Sequence, residues 1–214
     1  MSEGIMTPEE FRRQTNVSRE TLERLQIYVD LLRQWTSKIN LVSQDSLTDV
    51  WRRHLLDSAQ LMDFCPAEGK AVDLGSGAGF PGLVLAILGK SDMQLIEADQ
   101  RKSAFLREAI RLTGTQASVV SKRIEDVPSF EARTITARAF APLAKILDLA
   151  EKFIGSETTF LLLKGRNVSE ELTQAHKQWK MGATSHPSQS DPSGWILRLE
   201  RPVREFPGRI ADRA

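Results

Sequence analysis

Leu22, Leu25, Val29, Leu32, Trp35 and Ile39 recur at three- and four-residue steps and draw one apolar stripe down a helix predicted to end near Asn40. Upstream, Thr7-Pro8-Glu9-Glu10 has the form of a capping box with proline at the first helical position, and Ser18 gives a second start signal before the longer stripe. After a polar break, Asp45 is placed to cap a third helix carrying Leu47, Val50, Trp51, Leu55, Ala59 and Met62, stopped by Pro66. The first 65 residues therefore read as helical.

From residue 71 short β-rich runs alternate with helical periodicity, the pattern of βαβ units around a mostly parallel sheet. Strands are predicted at 71–75, 93–97, 117–121, 134–138, 158–163, 183–187 and 195–200, and helices at 81–88, 101–113, 143–153 and 168–180. Only the polar turn Ser188 to Gly194 separates the last two strands, which predicts an antiparallel hairpin. No linker or internal repeat divides the chain. The expected fold is α/β: a seven-stranded sheet in residues 67–214, with residues 1–66 as a helical N-terminal extension packed on it.

A chain of 214 residues suffices for one well-packed core, and 41% apolar with 27% charged residues is the composition of an ordinary globular protein. A net charge of +1 excludes a global basic field, so any polyanion site must be local. The single cysteine, Cys65, fits a reducing compartment, and no Cys/His spacing suits zinc, so no metal is expected. The longest apolar run, Leu83 to Leu88, falls far short of the roughly 20 residues of a membrane span. A cytoplasmic protein with no membrane role is expected.

Candidate chemistry concentrates at Ala71-Val72-Asp73-Leu74-Gly75-Ser76-Gly77-Ala78-Gly79-Phe80-Pro81-Gly82, an apolar run ending in an acid and then four glycines in eight positions. Such a strand, tight loop and helix start cradles a small molecule. Gly77 to Gly82 matches the dinucleotide fingerprint, and Glu97 follows Gly77 by 20 residues, the spacing of a ribose-binding acid. Spacing alone leaves NAD standing. Pro81, however, withholds an N–H where a pyrophosphate needs one, and Asp73 sets a carboxylate that repels phosphate and suits a methionyl ammonium. S-adenosylmethionine carries that ammonium and no phosphate. Glu97, or its neighbour Asp99, would accept the ribose hydroxyls, and either could instead cap the helix beginning at Arg101. Past the third strand, Ile124 could lie on the adenine face with Glu125 at its edge.

Leu41-Val42-Ser43, His54-Leu55-Leu56-Asp57-Ser58, the Gly-Phe-Pro-Gly form of the loop, Thr136-Ala137-Arg138-Ala139 and Leu163-Lys164-Gly165 together resemble the glucose-inhibited division protein B family, from about residue 25 to the C-terminus. The resemblance implies a class I, Rossmann-like methyltransferase that transfers a methyl group from S-adenosylmethionine to a guanine N7 of 16S ribosomal RNA. It also implies Gly75, Phe80, Ile124, Glu125 and Arg138 as cofactor contacts, beside Asp73, Gly77, Gly79 and Glu97 from the loop reading. The implied partner is 16S rRNA, as the small ribosomal subunit or an assembly intermediate, and the chain is expected to act as a monomer. A methyltransferase of the same fold acting on a small molecule or protein is the alternative.

Acceptor chemistry agrees with guanine N7. Methylation at a base carbon commonly needs a cysteine nucleophile, and Cys65 lies before the sheet. Exocyclic amines are usually methylated beside an Asn/Asp-Pro-Pro-aromatic tetrapeptide after the fourth strand, where this chain has Arg138-Ala139-Phe140-Ala141-Pro142. N7 has a free lone pair and needs only to be held in line. Arg138 and Lys164 are the expected acceptor contacts, and Arg52, Arg53, Arg123, Lys164 and Arg166 the expected RNA-binding cations, converging on one sheet edge. His54 is expected to be oriented by hydrogen bonds from Asp57 and Ser58.

Overall fold

Strands β1 (Ala71–Leu74), β2 (Met93–Ile96), β3 (Ala117–Val120), β4 (Ala132–Arg138), β5 (Ile154–Lys164), β6 (Trp179–Pro187) and β7 (Trp195–Arg204) form one sheet in the order β3-β2-β1-β4-β5-β7-β6 in a computed structural model that describes residues 4–205. The two ends of the sequence-based division, residues 1–3 and 206–214, lie outside the described residues. Neighbours among β1 to β5 are parallel, and β7 runs antiparallel between β5 and β6, as the short polar turn requires. Strand order reverses between β1 and β4, so the carboxyl ends of these strands open the crevice where such sheets bind ligands.

Alternation along the strands sorts side chains onto two faces. Ala71, Leu161 and Leu163 join α5 (Gly82–Ile87), α6 (Gln100–Thr113) and the N-terminal helices in one core. Val72, Leu74, Phe160 and Leu162 join α7 (Leu143–Ala150) and α8 (Val168–Ala175) in the other. Among the N-terminal helices, α1 (Pro8–Thr15) starts at the predicted capping box, with the Thr7 hydroxyl accepting from the Glu10 N–H at 3.2 Å and the Glu10 carboxylate accepting from the Thr7 N–H at 2.7 Å. The stripe of α2 (Arg19–Thr36) buries Leu25, Val29 and Leu32 completely. Arg24 ties α2 to the end of α6 through the Thr113 carbonyl (2.8 Å) and the Thr115 hydroxyl (3.0 Å).

Four predicted helices end or break early: α2 stops at Thr36 rather than near Asn40, leaving Ile39 outside it, α7 gives way at Ala150 to a 3-10 turn over Glu151–Phe153, and the other two are the third helix, expected after Asp45, and the one at 168–180. The third stops after α3 (Gln44–Thr48), because the Asp49 carboxylate accepts from the Met6 N–H at 2.9 Å and from Arg52 Nε at 3.2 Å. The chain then continues as a π turn (Trp51–Leu56), the short α4 (Asp57–Ala59) and a 3-10 turn (Gln60–Phe64). The helix expected at 168–180 ends at Ala175, and Trp179 instead opens β6 opposite Arg204, its ring buried and its Nε1–H donating to Asp148 Oδ1 at 3.3 Å. Among the described residues no helix is long and apolar enough to cross a membrane.

Candidate active site

The glycine loop links β1 to α5 and is fixed from both sides. The Ser76 N–H donates to the Ile96 carbonyl at 3.0 Å, and the Tyr28 hydroxyl of α2 donates to the Ala78 carbonyl at 2.5 Å. Gly75 stands at φ +66, and a Cβ there would fall on the Phe140 ring, so glycine is needed for conformation and for room. Gly77 lines the opening above the loop with Gly75, whereas Gly79 packs inward against Tyr28 and Leu83.

That opening is a cleft of about 540 Å³ at the carboxyl ends of β1, β2 and β4. Ile96, Ala98 and the buried Ile124 give it an apolar floor, Phe140 and Ala141 form one wall, and Glu125 lies on the rim. Glu97 faces it from the end of β2, 9% exposed, with Oε2 accepting from the Gly77 N–H and Oε1 from the Asp99 N–H, both at 2.8 Å. Each oxygen keeps a further lone pair for a ligand hydroxyl. Asp99 takes the other role considered for it: its carboxylate caps α6, accepting from Arg101 and Lys102 N–H, which holds it below the usual carboxylate range.

A second cleft of about 520 Å³ adjoins the first and shares Ala139 with it. Arg52, Arg53, Arg138 and Lys164 line it with Asp49 and Asp57, and the β6–β7 turn closes it. Ala139, at φ +47, is the residue between the two openings. Its loop is anchored by Lys164, whose ammonium donates to the Ala141 carbonyl at 3.0 Å and to Glu171 Oε2 at 2.7 Å; the same Oε2 accepts from the Leu143 N–H at 2.7 Å. Glu171 was not evident from the sequence, since nothing along the chain links α8 to this loop. Glu171→Ala strands the buried Lys164 charge and is expected to lower stability by about 2 kcal/mol in urea unfolding, with Glu171→Gln losing less because its amide oxygen can still accept from Leu143.

Several residues read from the sequence lie elsewhere. Asp73 lines neither cleft: it is fully buried beneath the loop, on the face toward α5, with Oδ1 accepting from the Thr136 hydroxyl at 2.7 Å and Oδ2 unpartnered among the described residues. Burial raises its carboxyl to about 6, although Thr136, Ser76 and the nearby Gly82 N–H favour the ionised form. Phe80, at a cis Phe80–Pro81 peptide, turns its ring away from the first cleft onto Tyr28 (5.6 Å) and His54 (4.7 Å, 14° between planes). Arg138 does not line the first cleft either, reaching back to the N-terminal helices: Nη2 donates to the Arg53 carbonyl at 2.9 Å and Nε lies 3.4 Å from Asp57 Oδ2. Arg123 lines the first cleft rather than the second one, and the exposed Arg166 lines neither.

His54 makes none of the expected ring hydrogen bonds. Both ring nitrogens are buried without a hydrogen-bond partner among the described residues, and Ser58 donates instead to the His54 carbonyl at 2.7 Å. Burial first, then Arg138 and Arg53, lower its imidazole from 6.5 to about 3. The folded chain thus keeps His54 neutral while the unfolded chain protonates it, so its stabilising contribution is present above pH 6.5 and is lost as pH falls toward 3. Asp73 slopes the opposite way, favouring folding below its unfolded value and opposing it as pH rises through about 6. His54→Phe isolates the histidine: relative to the parent it gains about 2 kcal/mol at pH 5 and little at pH 7.5 in urea unfolding, whereas equal differences at both pH values would contradict this.

A family model described as rRNA small subunit methyltransferase G matches residues 21–191. The ribosomal RNA small subunit methyltransferase G of Rhodospirillum rubrum is 52% identical over 195 residues, spanning 91% of this chain and 97% of the relative. Its counterpart in Paramagnetospirillum magneticum is 48% identical over 200 residues, 93% of this chain and 98% of that one. Among solved structures, TYW2 from M. jannaschii in complex with AdoMet superposes with a TM-score of 0.55 at 16% identity, covering 80% of each chain. Ribosomal protein L11 methylase from Lactobacillus delbrueckii subsp. bulgaricus gives 0.55 at 13% identity, covering 70% of this chain and 77% of that one. At such identities the structural likeness carries the fold alone, that of a seven-stranded α/β methyltransferase. The extent and identity of the sequence matches settle the family: this chain belongs to the rRNA small subunit methyltransferase G family.

Proposed function

We propose that the chain methylates guanine N7 in 16S rRNA, binding S-adenosylmethionine in the first cleft and the guanine in the second, with transfer past Ala139. The cofactor supplies a methyl group on a positively charged sulfur. Glu97 takes the ribose hydroxyls, Gly75 and Gly77 offer backbone at close range, and Ile124 with Glu125 holds the adenine. Phosphate-free binding fits this loop, since Pro81 stands just before α5 and provides no N–H there. Asp73 and Gly79 act beneath the loop, fixing its path, and Phe80 braces its far side.

The observation that carries the acceptor assignment is the state of the carboxylates in the second cleft. Asp49 is engaged by Met6 and Arg52, Asp57 by Ser190 (2.7 Å) and Arg138, and Asp191 by the Ser193 N–H and hydroxyl of its own turn. Each is already drawn into such contacts, and N7 has no proton to remove, so the second cleft needs no general base. Cys65 lines neither cleft, and burial pushes its thiol up to about 11, which unsuits it as the nucleophile that base-carbon methylation requires. Arg52, Arg53, Arg138 and Lys164 can meet the guanine O6 and flanking phosphates while N7 stays unbonded. Lys164 keeps one of its three donors beyond Ala141 and Glu171.

An rRNA substrate places the activity in the cytoplasm, and we take the chain to act as a monomer, with residues 1–66 as a helical extension on the 67–214 core. Titration calorimetry tests the cofactor half: S-adenosylmethionine is expected to bind at one site and NADH not at all, and the reverse result would overturn the assignment.

A further inference from the structure

Besides Glu97 and Glu125, the charged residues lining the cofactor cleft are Lys102, Lys122, Arg123 and Lys145. Lys102 is half-buried in the first turn of α6, Lys122 and Arg123 are exposed after β3, and Lys145 is exposed on α7. None of the four makes an ion pair or a side-chain hydrogen bond with another described residue. The second cleft differs: there Arg52 is paired with Asp49, Arg138 with Asp57 and Lys164 with Glu171, so that among the described residues only the Arg53 side chain has no ion-pair partner in it.

S-adenosylmethionine does not account for that rim. It carries two positive groups and one carboxylate, so a single lysine would satisfy its only anionic part, and the remaining cations, only partly offset by Glu97 and Glu125, would disfavour it. A chain of phosphates satisfies both, because it neutralises the lysines and the positive charge beneath them. Three separate elements carry these cations around one mouth, so an RNA strand touching all of them must cross that mouth.

Building on the proposed function, we infer that the rRNA backbone lies across Lys102, Lys122, Arg123 and Lys145 and closes the cofactor cleft, so the cofactor binds first and is held until the RNA leaves. RNA binding and cofactor retention are then one coupled equilibrium, and each tightens the other by the same factor.

The test follows release of tritiated S-adenosylhomocysteine, which occupies the cleft without reacting, into excess unlabelled ligand. Adding small ribosomal subunits from a strain lacking this chain is expected to slow release about 10-fold. Replacing Lys102, Lys122 and Lys145 together with glutamine is expected to remove the slowing and to reduce the log–log salt slope of RNA binding by about 2, near 0.7 per lost phosphate contact on a single strand. Release at one rate with and without subunits, from protein that still methylates them, would overturn the inference and leave the function standing. Protein that retains no S-adenosylhomocysteine and transfers no methyl group would overturn the functional reading itself, and the inference with it.

Discussion

Glu97→Ala is expected to weaken S-adenosylmethionine binding by two to three orders of magnitude, about 3–4 kcal/mol in calorimetry. The carboxylate holds two backbone N–H groups, Gly77 and Asp99, at 2.8 Å each, so its loss removes one of the loop's two ties to the end of β2, the Ser76–Ile96 backbone bond remaining, as well as the proposed ribose contacts. Hydrogen bonds to a charged group are worth about 1.5–3 kcal/mol apiece, which sets the scale. Glu97→Gln separates the two effects. Its amide can accept one backbone N–H but must point donors at the other, so binding should fall between the parent and Glu97→Ala. Parent-like affinity in Glu97→Ala would place the ribose elsewhere.

Gly82→Ala is expected to cost about 3 kcal/mol of stability, near 10 °C in midpoint for a chain of this size. Gly82 opens α5, and a Cβ there would lie 2.5 Å from Asp73 Cβ and 2.6 Å from Leu95 Cδ2. Asp73 Cβ is fixed to the backbone of β1, which is paired on both sides, so it cannot step aside without moving the sheet, whatever the Leu95 methyl does. Gly165→Ala is the control, since its added Cβ meets nothing within 4 Å. A midpoint for Gly82→Ala equal to that of the control would contradict the packing described.

Sequence patterning reached the fold because its signals are local. The α2 stripe, the capping box at Thr7 and the short β-rich runs from residue 71 onward are short-range preferences that tertiary packing reinforced. Trp179 fails for the opposite reason: its helical spacing is outweighed by pairing with Arg204 and a contact with Asp148 far along the chain. The site divides along the same line. Glu97 ends a strand at a fixed distance from the glycines, and a strand end at a switch point faces the crevice. Asp73 sits on a strand too, but the direction of its side chain depended on which face α5 would cover, and that face is closed. Phe80 and Arg138 turn toward Tyr28, His54 and Asp57, partners contributed by the N-terminal helices. Lys164 ends β5 and is fixed there, whereas Arg166 lies two residues beyond and has no strand to aim it. The lysine rim had no sequence signal, because α6, the segment after β3 and α7 meet only in space.

Guanine methylated at N7 becomes sensitive to strand scission by borohydride and aniline, so the acceptor atom can be read directly on 16S rRNA. RNA from the parent strain is expected to show one cleavage that is missing when this chain is deleted, and to regain it on expression of the parent chain but not of Glu97→Ala. An identical cleavage pattern with and without the chain would contradict guanine N7 as the acceptor.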